Sequence, residues 1–471
     1  MKSPHPNRNH CSGDLSARID LLELSDLADS GRLRRLAGTL TSIAAISQRE
    51  GVDAYLVGGA VRDLLLRRRS SGSRETEAVW SPGDVEDIRD IDIVVEGDAA
   101  RVARTFAEST GRRCQVSREF GTASIMLQDG LRVDFASARR ETYANPGALP
   151  KVQAASLADD LRRRDFTINA LAASLKALPQ LDVIDVCAGI RDLQQGVIRV
   201  LHERSFQDDP TRIFRAVRLE QRLHFVIEPQ TLRLARIAVQ AGGLQSVSGD
   251  RLRKEFVLLC DEPAVLPGAL HRLEEIGVLS ALVPGLRFDE RASRLLEDLR
   301  DVAAWMSQLP SPRAPRFWLV VLMVLCSGLT DSEKRLLAER FAIDGGDRSV
   351  LIRAGSRIDR GLDTLDRSHV DLPAHQVSAT LEPLSIEELL YLAARGGTEV
   401  ETWVQREVAE FRPLQLTIGG SDLMRQGYPS GPGLGRVLAA TREARLDGRI
   451  SAANELEYAV AILTRNSGVE S

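Results

Sequence analysis

Hydrophobic residues recur with one spacing in the first third of the 471-residue chain and with a different spacing beyond it. Short apolar runs that have the length and composition of strands occupy residues 91–95, 123–127 and 131–135. Helical spacing is seen at 21–49 and 99–109, and from about residue 157 onward strand-like runs nearly disappear. The pattern predicts an α+β protein, with a small mixed-sheet head that carries helices on one face and an all-helical remainder.

Polar and turn-forming stretches divide the chain further. Residues 70–86 are rich in Ser, Gly and Glu and predict an exposed loop. The stretch Gly-Pro-Gly-Leu-Gly at 431–435 resembles a phosphate-binding loop, but it lacks the Lys-Ser/Thr pair, so a turn is predicted. The resulting division has a disordered segment, a head and three helical parts, at 1–20, 21–198, 199–270, 271–410 and 411–471.

Composition excludes several classes of protein. The net charge of −4 argues against a uniformly cationic nucleic-acid binder, and 4% aromatic residues argue against extended base stacking. Five cysteines without a CxxC pair do not indicate a zinc site or a disulfide framework. Room is left for a local basic face in three arginine clusters, at 32–35, 67–69 and 162–164, although for each cluster a solvated helix face is the favoured interpretation.

Nothing in the apolar pattern indicates a membrane protein. The N-terminal residues have no apolar signal core, and the most apolar run, 317–329, is too short to span a bilayer. We therefore expect a cytoplasmic protein with no membrane partner, and a buried helix at 317–329.

Two carboxylates open the first strand of the predicted head. Asp90 and Asp92 are one residue apart in a strand, so their side chains point to the same face. Like charges at this spacing repel each other, and a bound divalent cation such as Mg²⁺ would relieve the repulsion. Asp134 ends another strand and could add a third ligand. The alternative for all three residues is a charged strand end without a ligand.

A glycine pair precedes this strand by about thirty residues. Gly58 and Gly59 stand at a predicted strand-to-helix turn, where backbone N–H groups and the helix N-terminus favour an anion. Arg62 falls in the first helical turn and can donate to phosphate oxygens. Beside two carboxylates, this turn predicts a triphosphate held against a metal ion.

Seven segments occur in an order that resembles the class II tRNA nucleotidyltransferases, the CCA-, CC- and A-adding enzymes whose head is shared with bacterial poly(A) polymerases. The resemblance covers residues 50–260, with a weaker match at 416–460. The segments are LVGGAVRD, DIDIVVEGD, FGTASI, RVDFASARRETYANPGALPKV, DLRRRDFTINALA, IDVCAGIRDL and DDPTRIFRAVRLEQRLHF.

The resemblance implies roles for individual residues. Asp90 and Asp92 match the metal-binding pair, and Gly58, Gly59 and Arg62 match the triphosphate motif. Arg164 and Asp165 match the motif that contacts the ribose of the incoming nucleotide. The residues that match the amino-acid template, which pairs with the edge of the base, and its helix are Asp209, Arg212, Arg215 and Arg218. From the sequence alone, Asp209 beside Pro210 fits a helix cap equally well.

The sequence departs from the family pattern at several positions. Asp208 stands where a glutamate is usual, Ala188 replaces one of two glycines, and Leu219 and His224 replace the usual residues in the last segment. No HxxHD pattern occurs, so the phosphohydrolase domain of some relatives is not expected. None of these changes removes a carboxylate or arginine that the chemistry requires.

The resemblance implies a Mg²⁺-dependent enzyme that adds CMP or AMP from CTP or ATP to the 3′ end of tRNA. The parts after the head would be a neck at 199–270, a body at 271–410 and a tail at 411–471 that binds the tRNA elbow. Two alternatives stay open on the same head, namely a poly(A) polymerase and an enzyme that adds only CC or only A. A catalytically silent tRNA-binding protein is a third reading.

Overall fold

The computed structural model describes residues 17–21, 30–72, 88–117, 121–142, 151–309, 313–366 and 372–467. The chain divides into two compact units, one up to Val247 and the other from Ser248. This division falls inside the segment predicted as the neck. The further boundaries between neck, body and tail stay predictions.

The first unit is built on an eight-stranded mixed sheet. Its strands are β1 Arg18–Asp20, β2 Asp53–Val57, β3 Asp90–Glu96, β4 Cys114–Ser117, β5 Thr122–Met126, β6 Arg132–Ser137, β9 Leu171–Ser174 and β10 Gln180–Asp185. The spatial order is β1-β10-β9-β2-β3-β6-β5-β4. All neighbours are antiparallel except β3 and β6, which run parallel. The predicted mixed sheet is confirmed, and it is larger than expected.

Helices and short strand pairs complete the first unit. The helices are α1 Ser30–Arg49, α2 Gly59–Gly72, α3 Ala99–Thr110, α4 Leu157–Arg162, α5 Gly189–Gln195, α6 Ser205–Asp208, α7 Arg212–Leu223 and α8 Pro229–Gln240. Two further strand pairs are β7 Arg139–Thr142 with β8 Lys151–Ala154, and β11 Val197–Ile198 with β12 Val226–Ile227.

The sheet has a thick core on one face and a thin one on the other. Helices α1, α2 and α3 pack with alternate residues of the strands, such as Leu56, Ile93 and Phe135. On the opposite face, Val57 and Val94 pack with Leu157 and Leu161 of the short helix α4. The expectation of helices on one face is therefore wrong for α4. The opposite face is only partly covered, which leaves room for a site.

Two expectations about the limits of the sheet are wrong. Residues 18–20 were expected to be disordered, but they pair with β10 at the sheet edge. Strands do not end near residue 157, because β9 and β10 form a hairpin that continues the sheet beside β2. The small residues of β9, Leu-Ala-Ala-Ser, do not have a clear strand pattern by themselves.

Of the predicted loop 70–86, the first three residues belong to α2 and the rest lies outside the described residues.

The second unit is helical in its described residues. Its helices are α9 Gly249–Cys260, α10 Leu266–Ile276, α11 Val278–Leu282, α12 Glu290–Met306, α13 Phe317–Leu325, α14 Asp331–Arg340, α15 Gly345–Asp366, α16 Ala374–Leu381, α17 Ile386–Arg406, α18 Gly420–Arg425, α19 Pro432–Leu446 and α20 Glu455–Ser467. The buried helix predicted at 317–329 is α13, in which Leu319–Leu325 are buried. No helix among the described residues is both long and apolar enough to cross a membrane.

Two departures from the family pattern coincide with left-handed backbone. Ala188 has φ 59° just before α5, and His224 has φ 51° at the end of α7. Glycine adopts this conformation at little cost, whereas a Cβ atom makes it unfavourable. His224 is the exposed C-terminal cap of α7. Gly189 is required beside Ala188, because a Cβ there would overlap the Thr167 carbonyl oxygen.

Candidate active site

Three carboxylates share the less covered face of the sheet. Asp92 and Asp134 are partners in the register of the parallel strands β3 and β6, and Asp90 precedes Asp92 on the same face. Asp92 is reached by solvent but is crowded by protein. Desolvation raises its pKa, Asp134 and Asp90 raise it further, and Arg164 opposes them. Repulsion among the three charges is therefore concentrated on Asp92.

The donor set fits two ligands of a hard cation rather than a complete cage. Carboxylate oxygens suit Mg²⁺, which keeps water and phosphate oxygens as its other ligands. Within the described residues, no group of three or more His, Cys, Asp and Glu side chains could hold a metal ion by itself. Asp134 is instead paired with Arg132, with 3.0 Å between its Oδ2 and the Arg132 Nε. A third-ligand role for Asp134 stays a prediction, and it would require Asp134 to share or exchange this partner.

The Gly58 turn closes over Asp92 and Arg164. Gly58 has φ 75°, which favours glycine. A Cβ there would lie 2.9 Å from Arg164 Nη1 and 3.7 Å from Asp92 Oδ2. Gly59 begins α2, and a Cβ on it would lie 3.4 Å from Arg62 Nη2. The predicted phosphate turn and the metal-binding pair are thus brought together, with the Arg164 guanidinium beside both.

Arg62 is buried and holds neighbouring residues in place. It is 3% exposed. Its Nη1 donates to Asn169 Oδ1 at 2.6 Å, and its Nε donates to Asp63 Oδ1 at 2.7 Å. Two of its three nitrogens are therefore already engaged, and direct contact with a triphosphate stays a prediction. Asn169 was missed by the sequence reasoning, although it lies in the same segment as Arg164 and Asp165.

Arg163 and Arg164 are held by a buried carboxylate. Asp160 is completely buried and accepts from Arg163 Nη2 at 2.6 Å and from Arg164 Nη2 at 3.3 Å. Glu141 accepts from Arg163 Nη1 at 2.7 Å. The interpretation of this arginine cluster as a solvated helix face is wrong for these two residues, because their charges are paired inside the protein. In the described part of the chain, the buried Arg164 Nε has no hydrogen-bond partner.

Asp165 and Arg215 form a close ion pair. Asp165 Oδ2 accepts from Arg215 Nε at 2.9 Å and from Arg215 Nη2 at 2.6 Å. Asp165 Oδ1 accepts from Asn169 Nδ2 at 3.1 Å. Burial alone would raise the Asp165 pKa, but Arg215 and Asn169 hold it well below its usual range. To accept a hydrogen bond from a ribose 2′-OH, Asp165 would have to share or exchange one of these partners.

The two template residues, Asp209 and Arg212, differ in which of their side-chain atoms are already hydrogen-bonded within the protein. Asp209 Oδ1 accepts from the Thr211 backbone N–H at 3.1 Å and from Thr211 Oγ1 at 2.6 Å. These bonds close a turn before α7, whose N-terminal cap is Thr211, so the helix-cap interpretation of Asp209 is not confirmed. Arg212 is 6% exposed, and its Nη2 donates to the Arg163 carbonyl at 3.0 Å. Its buried Nη1 has no partner among the described residues, so it is placed to donate to a ligand. Arg218 lies two turns after Arg212 on α7.

Comparison with known proteins places the motifs at residues 58–62, 90–92 and 164–165, but not the template residues from 209 onward, in a known head domain. The family model of the poly A polymerase head domain matches residues 54–199. The A-adding tRNA nucleotidyltransferase of Geobacter sulfurreducens is 35% identical over 438 residues, which are 92% of this chain and 48% of that protein. The A-adding enzyme of Halalkalibacterium halodurans is 31% identical, over 83% of this chain and 84% of its own length. The CC-adding enzyme of Deinococcus radiodurans is 30% identical, over 87% and 90%. This chain spans about half the length of the Geobacter relative.

Solved structures show the same fold over most of the chain. A CCA-adding enzyme in its apo form II aligns with a TM-score of 0.74 and 29% identity, over 94% of this chain and 99% of that one. A CCA-adding enzyme in complex with CTP aligns with a TM-score of 0.71 and 29% identity, over 95% and 99%. The Thermotoga maritima enzyme complexed with tRNA aligns with a TM-score of 0.67 and 29% identity, over 95% and 99%.

Proposed function

This chain belongs to the tRNA nucleotidyltransferase family, and we propose that it transfers CMP or AMP from CTP or ATP to the 3′ end of tRNA and releases pyrophosphate. The observation that carries the proposal is the meeting of the Asp90–Asp92 pair, the Gly58 turn and Arg164 on one face of the sheet. A triphosphate needs an anion-binding turn next to a metal-binding pair, and these residues supply both.

Each group has a role in positioning or charge neutralisation. Asp90 and Asp92 would hold Mg²⁺, which supplies a Lewis acid that neutralises phosphate charge and lowers the pKa of a bound hydroxyl. Arg164 neutralises part of the triphosphate charge beside Gly58, and its Nε–H is a hydrogen-bond donor that is available to a phosphate oxygen. Positioning and charge stabilisation account for most of the rate in such reactions, so little covalent chemistry is required of the protein.

Base recognition is assigned to the start of α7. The Arg212 Nη1 atom is a buried donor without a partner in the described residues, so it can donate to the acceptor edge of a cytosine or adenine. Asp165, held by Arg215 and Asn169, fixes the position of α7 relative to the Arg164 segment.

Binding of the tRNA elbow by residues 411–471 is part of the same proposal. It is supported by exposed arginines there, such as Arg425 with a 76% exposed side chain.

A narrower candidate is the addition of the terminal A alone. The Geobacter A-adding enzyme shares 35% identity with this chain, and the Deinococcus CC-adding enzyme shares 30%. A poly(A) polymerase remains a second candidate, because the matching head model carries that description.

The deciding experiment uses the purified chain, Mg²⁺ and three tRNA transcripts that lack CCA, end in C or end in CC. Each transcript receives CTP, ATP or both, and the products are sized on a gel. Addition of one A to the CC end alone identifies an A-adding enzyme, whereas full CCA on the first transcript identifies a complete CCA-adding enzyme. Long A tails identify a poly(A) polymerase. A protein that binds these tRNAs but extends none of them would contradict the proposal.

A further inference from the structure

A cavity of about 330 Å³ lies within the second compact unit, and no predicted site residue lines it. Its walls come from helices α12, α13, α14, α15 and α17. Ligand pockets in proteins begin at about 300 Å³, so the space admits a small molecule but not a folded nucleic acid.

Two buried donors at this cavity have no hydrogen-bond partner in the described part of the chain. Lys334 is 9% exposed, and its ammonium forms only an ion pair of 3.7 Å to Asp331 Oδ1, which is longer than a hydrogen bond. Tyr391 is 2% exposed, and no hydrogen bond of its hydroxyl is found among the described residues. Both side chains line the cavity, so their donors are available to a ligand bound there. A ligand with acceptor oxygens would supply the hydrogen bonds that these donors lack.

The charge of the cavity specifies what kind of acceptor is missing. Its charged lining residues are Arg291, Lys334, Arg395 and Asp359, three positive and one negative, so the net formal charge is +2. Arg395 donates to Asp359 at 2.8 Å and Lys334 forms the 3.7 Å ion pair with Asp331, so Arg291 is the lining cation without a carboxylate partner among the described residues. Desolvation raises the Tyr391 pKa, so the hydroxyl is a donor at neutral pH. The lining is therefore positive and complements a small anion.

Part of the cavity wall is apolar, because Met323, Leu329 and Leu351 also line the cavity. A bare inorganic ion would leave this wall in contact with water, whereas an organic anion would cover it. Phosphate monoesters are anions at about pH 7 and carry an organic part, so they complement a lining that is positive in one part and apolar in another.

We propose that this cavity binds a small phosphate monoester, with its phosphate on Lys334, Tyr391 and Arg291 and its organic part against Met323 and Leu351. The site is separate from the residues assigned to nucleotide transfer, and the proposal does not depend on the proposed function. A free metabolite and the 5′-terminal phosphate of an RNA share this chemistry, and the experiment separates them.

The test is a calorimetric titration of the full chain with ribose 5-phosphate, with ribose as the uncharged control. We expect the wild-type protein to bind ribose 5-phosphate and not ribose. Lys334→Met keeps the buried methylenes and Tyr391→Phe keeps the ring, and we expect each to weaken binding at least tenfold. The matched control is Lys254→Met, because Lys254 is an exposed lysine of α9 that does not line the cavity, and it should bind as the wild type does. Equal binding by the wild type and Lys334→Met, or no binding of ribose 5-phosphate by the wild type, would overturn the proposal.

A second arm identifies the source of the phosphate. Binding of a tRNA transcript is compared with and without its 5′-monophosphate. If Lys334→Met weakens binding only when the 5′-phosphate is present, an RNA end is the ligand; if it affects neither transcript while ribose 5-phosphate binding is lost, a free metabolite is. Equal weakening for both transcripts would mean contact with backbone diesters and would contradict a monoester site.

Thermal unfolding provides an independent check. Without ligand, Lys334→Met should unfold at the same temperature as the wild type or higher, because a largely buried ammonium is removed and its 3.7 Å ion pair with the exposed Asp331 contributes little. With ribose 5-phosphate, only proteins that retain the site should gain stability. A lower unfolding temperature for the unliganded variant would show that Lys334 has a structural partner and would overturn the proposal.

Discussion

Buried charges are treated differently around Glu387, in the second compact unit, and at the candidate active site, in the first. Four donors hold Glu387. The completely buried carboxylate accepts from Arg313 Nη1 at 2.6 Å and Nη2 at 2.7 Å, and from Arg316 Nε and its backbone N–H, both at 3.0 Å. In the first unit, Arg164 and Arg212 each keep a buried nitrogen without a partner in the described residues. Saturated pairing stabilises a fold, and donors left over are placed to bind a ligand.

The Asp92→Asn substitution should give the largest effect and separates activity from stability. We expect nucleotide addition to fall at least about 100-fold, because a metal ligand is lost. The free energy of unfolding should not fall, since the repulsion from Asp90 and Asp134 is removed. A single-turnover extension assay and a urea titration measure the two quantities. Near wild-type activity in a folded Asp92→Asn protein would contradict the assignment.

The Glu387→Gln substitution should give the opposite result. We expect the free energy of unfolding to fall by about 2 kcal/mol, less than for a fully buried pair because the two arginines are partly exposed. Nucleotide addition per folded molecule should be unchanged. Urea titration at neutral pH measures the loss, and Arg294→Gln, which breaks an exposed pair with Glu290, is the matched control with little effect.

The ion pairs of Glu387 with Arg313 and Arg316 also predict how the stability of the protein depends on pH. The arginines lower the Glu387 pKa from 4.5 to about 2, so its contribution to stability is fully present above pH 4.5 and is lost as the pH falls towards 2. The difference in unfolding free energy between the wild type and Glu387→Gln should shrink over this interval. A difference that stays constant down to pH 2 would contradict the depressed pKa.

The Arg212→Lys substitution tests whether an unused donor serves recognition. Lysine keeps the charge but loses the planar set of donors. We expect discrimination between the correct and incorrect nucleotide to fall about tenfold, the equivalent of one hydrogen bond. The ratio of kcat/KM for the correct nucleotide to that for GTP measures it. An unchanged ratio with a lower stability would mean that Arg212 only supports the fold.

The smallest effect should come from Ala188→Gly. Ala188 belongs neither to the charged group around Glu387 nor to the charged groups of the candidate active site. Relief of the left-handed backbone should stabilise the protein by about 1 kcal/mol. The same change at Ala173, in the extended strand β9, should destabilise it instead. Urea titrations of the two variants measure the expected gain in the free energy of unfolding at Ala188 and the expected loss at Ala173. A loss of stability at both positions would contradict the argument from backbone strain.

Local periodicity determined much of the head from the sequence alone. Alternation placed Asp90 and Asp92 on one face of β3, because successive side chains of a strand point to opposite sides. The strands at 122–126 and 132–137, the helix at 99–110 and the left-handed turn at Gly58 follow from the same local rules. These features depend on residues close in sequence, so a single sequence contains them.

Pairing across the chain was decided only by the tertiary structure. Strand β9 is rich in alanine and becomes a strand because β2 and β10 supply its backbone partners. Arg62 meets Asn169 across 107 residues, and Asp165 meets Arg215 across 50. Whether an arginine is saturated, as at Glu387, or keeps a buried donor, as Arg212 does, depends on which distant groups surround it. No local spacing encodes that, because hydrogen bonds and desolvation act through space rather than along the chain.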